Sequence, residues 1–258
     1  MTMKTPTSDG RRVFLKKLLG GAAAAGAVMI YRQPAMAYLR GDAKSGQGTD
    51  GSDYAFVVDV NKCIGCGNCV RACSTENNVP EGQYRTWIER YVITADGVYV
   101  DSPNGGKDGF QEVPEELRGK AQRSFFVPKL CNHCKNAPCV QVCPVGATFR
   151  SKEGFVLVDP KYCIGCGYCV QACPYGVRFI NSERHIADKC TWCYHRVEKG
   201  LLPACVTVCP TQARTFGELD DRASSVAQVY KTDEWKVLKP AMHTQCMTLY
   251  LGLPREVV

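Results

Sequence analysis

The sequence predicts an α+β fold: duplicated units of short strands, short helices and cysteine-bearing loops, organised by metal more than by a large apolar core. Three observations predict it. Sixteen of the 17 cysteines fall into four groups of four. The segment CIGCGNCVRAC beginning at Cys63 recurs as CIGCGYCVQAC beginning at Cys163, and each copy follows an apolar, strand-like run, DYAFVVDV and GFVLVD respectively. Such self-similarity is the mark of duplication.

In chain order, residues 1–37 read as a leader. Arg11, Arg12, Val13, Phe14, Leu15 and Lys16 match the twin-arginine export pattern, with Gly10 where serine or threonine commonly precedes the arginine pair. An apolar Gly/Ala-rich stretch follows from Leu18 to Ile30, and Ala35-Met36-Ala37 offers a small-residue cleavage site before Tyr38. A basic pair before an apolar helix also suits a membrane-surface segment, but the match as a unit favours export. The stretch is too short to span a bilayer, which needs about 20 residues, and no comparable segment occurs later. The mature chain is therefore expected to have no transmembrane helix of its own and to lie in the periplasm, peripheral to the inner membrane through partners. Export of a folded chain explains the cysteines, since a threaded one would carry naked thiols into an oxidising compartment. Residues 38–53 read as a linker, rich in Gly, Ser and Asp from Gly41 to Ser52.

Residues 54–219 carry the four cysteine groups: Cys63, Cys66, Cys69, Cys73; Cys131, Cys134, Cys139, Cys143; Cys163, Cys166, Cys169, Cys173; and Cys190, Cys193, Cys205, Cys209. The first and third have the spacing C-x2-C-x2-C-x3-C, the run with which bacterial ferredoxins hold [4Fe–4S] clusters. A tight loop wraps three cysteines around one cubane, while the fourth projects from the following helix towards the other cluster of a pair. Gly65, Gly67, Gly165 and Gly167 let the backbone curl and aim N–H groups at sulfur. Proline follows the last cysteine at Pro144, Pro174 and Pro210, whereas Ser74 follows Cys73. The second and fourth groups are looser, C-x2-C-x4-C-x3-C and C-x2-C-x11-C-x3-C, with short helices expected around CVQVC and CVTVC. Disulfide frameworks need no such repeated runs with glycines between ligands. Tetrahedral zinc needs four ligands, not overlapping sets ending in C-x3-C-P.

Between the first two groups, residues 75–124 read as an insertion, an exposed loop with a short helix near Glu115 to Ala121, because DSPNGGKDG and PEELRGKAQR are rich in glycine, proline and charge. Residues 220–258 carry no cluster ligands and read as a docking segment. Asp220 or Asp221 is placed to cap a helix through RASSVAQVY, and MTLYLGL is able to add a strand or to lie along a partner. The formal charge of +7 is misleading: the leader holds six of the 32 basic residues and one of the 25 acidic ones, leaving +2 on the mature chain. Each cluster with its four thiolates adds about −2, so the loaded protein is expected to be acidic, with no affinity for nucleic acid.

The segments LCNHCKNAPCVQVCPVGATF, CIGCGYCVQACPYGVRFI and ADKCTWCYHRVEKGLLPACVTVCPTQARTFGEL resemble the four-cluster, bacterial-ferredoxin-like electron-transfer subunits of the dimethyl sulfoxide reductase family. The resemblance extends over nearly the whole mature chain. It is nearest to the exported kind found with tetrathionate, polysulfide and nitrite reductases, or in a sulfur-metabolism membrane complex. It implies four [4Fe–4S] clusters in which the first group shares with the fourth and the second with the third. One cluster would take Cys63, Cys66, Cys69 and Cys209, and its mate Cys190, Cys193, Cys205 and Cys73. Another would take Cys131, Cys134, Cys139 and Cys173, and the last Cys163, Cys166, Cys169 and Cys143. Because Cys139 is present, no [3Fe–4S] cluster is expected. The implied function is the relay of single electrons between a membrane-integral quinone-reactive subunit and a partner, either a molybdopterin catalytic subunit or a multihaem cytochrome, in anaerobic respiration or sulfur metabolism.

Two rivals are a free periplasmic ferredoxin, less suited to four clusters than a fixed wire, and an iron–sulfur enzyme with its own substrate site. The latter needs an open iron position, which sixteen cysteines on four cubes do not leave. The sequence offers no catalytic residues. Among secondary candidates, His133, His185 and His195 read as loop histidines packed near sulfur. Lys62, Lys161 and Lys189 stand just before a first cysteine, where a cation would raise a cluster's potential if it faces inward. Trp192 reads as a shield against water, and Cys246, the odd cysteine, as a buried free thiol.

Overall fold

The computed structural model describes residues 53–232 and 234–257; the leader and all of the linker except Asp53 lie outside the described residues. At the centre, β1 (Tyr54–Asp59) is buried from Ala55 to Val58. It is flanked antiparallel by β9 (Arg214–Glu218) and parallel by β10 (Thr248–Leu251). Phe56 pairs with Thr248 on one side and Phe216 on the other. A strand covered on both faces reads as an unbroken apolar run, which is why AFVV lacks alternation. Thus MTLYLGL adds a strand, and Thr248, Leu249 and Tyr250 are wholly buried. The same segment braces the second cysteine loop. Lys135 N–H donates to Gln245 O, Asn136 N–H to Thr244 O, and Met247 N–H to Asn132 O at 2.8–3.0 Å.

The insertion departs from its expected form. It contains β2 (Thr86–Ile93) and β3 (Val98–Asp101), which form an antiparallel sheet with β4 (Arg123–Leu130) in the order β3-β2-β4. The alternation in TWIERYVI, with Thr86, Ile88 and Arg90 inward, is the ordinary signature of a half-buried strand. Pro128 is accommodated because β4 is an edge strand. Only the short helix lies where expected, at Glu115–Arg118.

Two hairpins complete the strands: β5 (Thr148–Arg150) with β6 (Val156–Val158), and β7 (Arg178–Ile180) with β8 (Ala187–Lys189). The helices of the cysteine loops, in chain order, are α1 (Asn68–Asn77), then, after the insertion helix α2 (Glu115–Arg118), α3 (Pro138–Gln141), α4 (Tyr168–Gln171), α5 (Tyr194–Val197), which carries no cysteine but follows Cys193, and α6 (Ala204–Thr207). Helix α7 (Ser225–Lys231) packs on β9 and β1. Its N-cap is Ser224, not Asp220 or Asp221, because Asp221 is used in the preceding turn, accepting from Ala223 N–H at 2.9 Å. An aromatic core of Phe56, Phe155, Trp192 and Phe216 fills the space between the central sheet and the cysteine loops.

Candidate iron–sulfur sites

None of the seventeen cysteines forms a disulfide. Cys63, Cys66, Cys69 and Cys209 line one cavity, and Cys131, Cys134, Cys139 and Cys173 line another. Cys73 lies deep among Cys190, Cys205 and Cys193. Cys163 and Cys143 are set beside the two hairpins, where Ala187 N–H and Thr148 N–H each point at sulfur at 3.4 Å. Trp192 N–H does the same for Cys190 at 3.3 Å. Among the described residues, no three cysteine, histidine or acidic side chains converge as a single-ion site. The sulfurs instead surround volumes.

The sets also adjoin one another. Cys205 lies close to Cys69, and Cys190 close to Cys131. Arg178 lies close to Cys139, Cys131 and Cys169. Burial raises the bare thiols, Cys63 to about 11, Cys205 to about 11 and Cys190 to about 12. Iron must supply the energy to hold such groups as thiolates, so folding and loading are one process. Cys143 is shifted the other way. Burial would raise it, but the N–H groups of Thr148, Val145 and Ala147 outweigh burial and lower it.

Whether these residues suit an anionic cluster is decided by the buried cations. Arg214 and Arg178 are almost fully buried and each lines one of the two four-cysteine cavities. Among the described residues neither meets a carboxylate, and Arg214 Nη1 and Arg178 Nη2 have no hydrogen-bond partner. Isolated buried cations are costly unless an anion is present. A [4Fe–4S] centre with four thiolates supplies that anion, so the donor set fits.

Two family models, each of a 4Fe-4S dicluster domain, match residues 62–147 and 122–219. The chain is 42% identical over 247 residues to a tetrathionate reductase subunit from Salmonella typhimurium, covering 95% of this chain and 89% of that protein. It is 46% identical over 204 residues to a tetrathionate reductase subunit from Archaeoglobus fulgidus, covering 79% and 84%. With the thiosulfate reductase electron transfer subunit PhsB of Salmonella typhi it shares 39% over 188 residues, covering 71% and 87%. The chain belongs to this family of ferredoxin-like [4Fe–4S] electron-transfer subunits. The protein carries electrons and is not itself the catalytic subunit. Among its described residues no helix is long and apolar enough to cross a membrane.

The secondary candidates separate in the structure. His133 is wholly buried, donating from Nε2 to Cys190 O at 3.0 Å and accepting Val156 N–H at Nδ1 at 3.1 Å. Burial, with Lys189 nearby, holds it well below its ordinary value. His185 is exposed and His195 is half-exposed, paired with Glu76. The histidines differ because His133 is enclosed by the β6 and Cys190 backbones, while the other two sit on a surface turn and helix. Lys62 and Lys161 face solvent; Lys189 is buried. Trp192 is buried and stacks on His133 at 4.0 Å. Cys246 is buried within hydrogen-bond reach of Cys134 and of Tyr175, the latter at 3.1 Å. Sequence reading missed Arg178 and Arg214. Their signal was present in CPYGVR and CPTQAR, where arginine stands at the same offset after the last cysteine.

Proposed function

We propose that the protein holds four [4Fe–4S] clusters in series and relays single electrons between a membrane quinone-reactive subunit and a molybdopterin or multihaem partner on the periplasmic side. The ligand sets are Cys63, Cys66, Cys69 and Cys209; Cys73, Cys190, Cys193 and Cys205; Cys131, Cys134, Cys139 and Cys173; and Cys143, Cys163, Cys166 and Cys169. When bound, a [4Fe–4S] cluster accepts and releases one electron. The observation that carries the reading is serial adjacency: Cys69 near Cys205, Cys190 near Cys131, and Arg178 near both Cys139 and Cys169. This supports the order in which the sets are named here, with the first and last sets outermost.

Both outer sets have apolar rims open to contact. Ile64, in the first loop, is 59% exposed, and in the third loop Tyr162, Ile164 and Tyr168 are 65%, 64% and 57% exposed around the exposed Cys166. Adjoining apolar side chains that face water are the ordinary mark of protein contact. The inner sets are better shielded, since seven of their eight ligands, Cys73, Cys190, Cys193, Cys205, Cys131, Cys134 and Cys139, are buried and Cys173 is half-buried. Such a layout favours docking at two ends over free diffusion as a ferredoxin. Duplication of a ferredoxin-like unit is supported by the matching loops at Cys63 and Cys163, with αL glycines at Gly65, Gly67, Gly165 and Gly167. The twin-arginine leader at Arg11 and Arg12 places assembly before export.

The relay is tested in membranes of the native host lacking only this protein. The expected result is that quinol no longer reduces the catalytic or haem partner, while dithionite still does. Undiminished reduction by quinol would end the relay reading. Export is tested with Arg11→Lys/Arg12→Lys, which is expected to leave the loaded protein in the cytoplasm; unchanged periplasmic accumulation would contradict it.

A further inference from the structure

The series of cysteine sets has three junctions, and three buried cations lie at them. Arg214 opens β9 and lines the cavity of Cys63, Cys66, Cys69 and Cys209, while also lying close to Cys205 of the next set. Lys189 closes β8, where its ammonium donates to Val156 O and, at 2.8 Å, to Cys190 O, close to Cys131 and Cys139. Arg178 opens β7, lines the cavity of Cys131, Cys134, Cys139 and Cys173, and also reaches Cys169 of the last set. Their relative exposures are 2%, 1% and 4%. Among the described residues none of the three pairs with a carboxylate.

These positions are built rather than incidental. Each arginine is tethered through one nitrogen to a threonine that begins another strand, Arg214 Nη2 to Thr86 Oγ1 at 2.9 Å and Arg178 Nη1 to Thr148 Oγ1 at 3.2 Å. Its remaining terminal nitrogen is left without a partner beside the cysteines. Arg178 and Lys189 are directly opposed across the β7–β8 hairpin. Like charges so placed repel one another, and a buried pair persists only where an anion offsets both. The carboxylate of Asp188 next to Lys189 is turned to Arg85 and Arg184 and does not serve.

We propose that Arg214, Lys189 and Arg178 are fixed inter-cluster cations, one at each junction of the series, each setting the reduction potentials of the two clusters it separates. The inference rests on the four-cluster relay reading. Reduction adds one negative charge to a cluster, and a buried cation favours that form on both sides at once. It also offsets repulsion between an electron on one cluster and an electron on the next. These are positioning residues, since the electron resides on none of them.

The test is an anaerobic redox titration of the full-length, iron-loaded protein followed by electron paramagnetic resonance, with Arg214→Met, Lys189→Met and Arg178→Met. Each variant is expected to lower the potentials of two clusters and leave two unchanged. The pairs moved by Arg214→Met and Arg178→Met should share no member, and Lys189→Met should move one member of each. The expected size is at least tenfold in the reduced-to-oxidised ratio at fixed poise, or 59 mV for a one-electron couple. Arg214→Lys and Arg178→Lys should restore most of it, which a purely structural role would not require. Uniform shifts, or none, in variants with full iron would overturn the proposal. Where a Met variant fails to load, Thr86→Val and Thr148→Val keep the charge and release its tether. Smaller shifts in the same pairs are then expected, and no shift or a shift in other clusters would overturn it. Fewer than four clusters in the unaltered protein would instead sink the relay reading itself.

Discussion

The loops at Cys63 and Cys163 have almost the same sequence and different surroundings at the second glycine. In the first, a Cβ on Gly67 would meet the carbonyl oxygens of Gly106 and Lys107 at 2.5 Å, because the insertion folds over the loop. In the second, a Cβ on Gly167 would meet nothing within 4 Å. The helices diverge likewise: α1 runs for ten residues and buries Val70, whereas α4 runs for four and exposes Tyr168. A ligand loop therefore specifies its cluster locally, while what packs over it decides how much of the loop is covered. The insertion covers the first loop at Gly67 and leaves Ile64 exposed.

The strongest way to break this contrast is to remove one ligand from each loop. Cys69→Ser, within the buried core, is expected to abolish loading of its cluster pair and lower the yield of folded protein. Cys166→Ser, on the exposed loop, is expected to retain the fold and lose iron only at the outer site. Iron content and thermal unfolding measure both, and equal losses would break the contrast. Next come Gly67→Ala and Gly167→Ala. Both residues have positive φ, at +76° and +77°, where alanine costs about 1–2 kcal/mol. The backbone clash at Gly67 should carry its loss beyond about 4 kcal/mol, whereas Gly167→Ala should show the conformational cost alone in denaturant unfolding.

An effect of similar size is expected where β8 is tied to the insertion. Asp188 of β8 pairs with Arg85, which leads into β2, at 2.8 Å. Burial alone would raise the Asp188 carboxyl, but Arg85 and Asn181 outweigh it and hold it below the ordinary 3.8. A lowered folded value means stability that is fully present above pH 3.8 and lost as pH falls through the folded pKa. Asp188→Asn should therefore cost about 3–5 kcal/mol near neutrality, because it strands Arg85. That difference from the unaltered chain should narrow only below pH 3.8, in thermal unfolding across pH. The smallest effect is expected at Glu76, which joins α1 to His195 and Arg196 at a partly exposed site. Glu76→Gln should cost below about 1 kcal/mol in the same assay.

What was legible in the sequence follows from how local each signal is. Cysteine spacing is local chemistry, so the four groups stand out in the chain, and DYAFVVDV is an apolar run that only a covered strand explains. The insertion reads as loop because the glycines and charges of DSPNGGKDG and PEELRGKAQR outweigh TWIERYVI and RSFFVPKL, the strands on either side. Strand alternation there is blurred by Arg90, an inward residue whose charge is met by Asp101 on the neighbouring strand. The roles of Arg214 and Arg178 depend on threonines 128 and 30 residues away along the chain, and no local pattern reveals a partner that distant. Cys246 has no neighbour in sequence, yet the brace formed by residues 244–247 brings it to Cys134.

The most direct test of the central claim is iron and acid-labile sulfide on anaerobically purified, full-length protein, with electron paramagnetic resonance before and after dithionite. Four cubanes in series require about sixteen iron per chain, an interacting signal on reduction and no three-iron signal as isolated. Iron near eight or below, or zinc in its place, would mean that some of these cysteine sets hold no cluster and would contradict the wire.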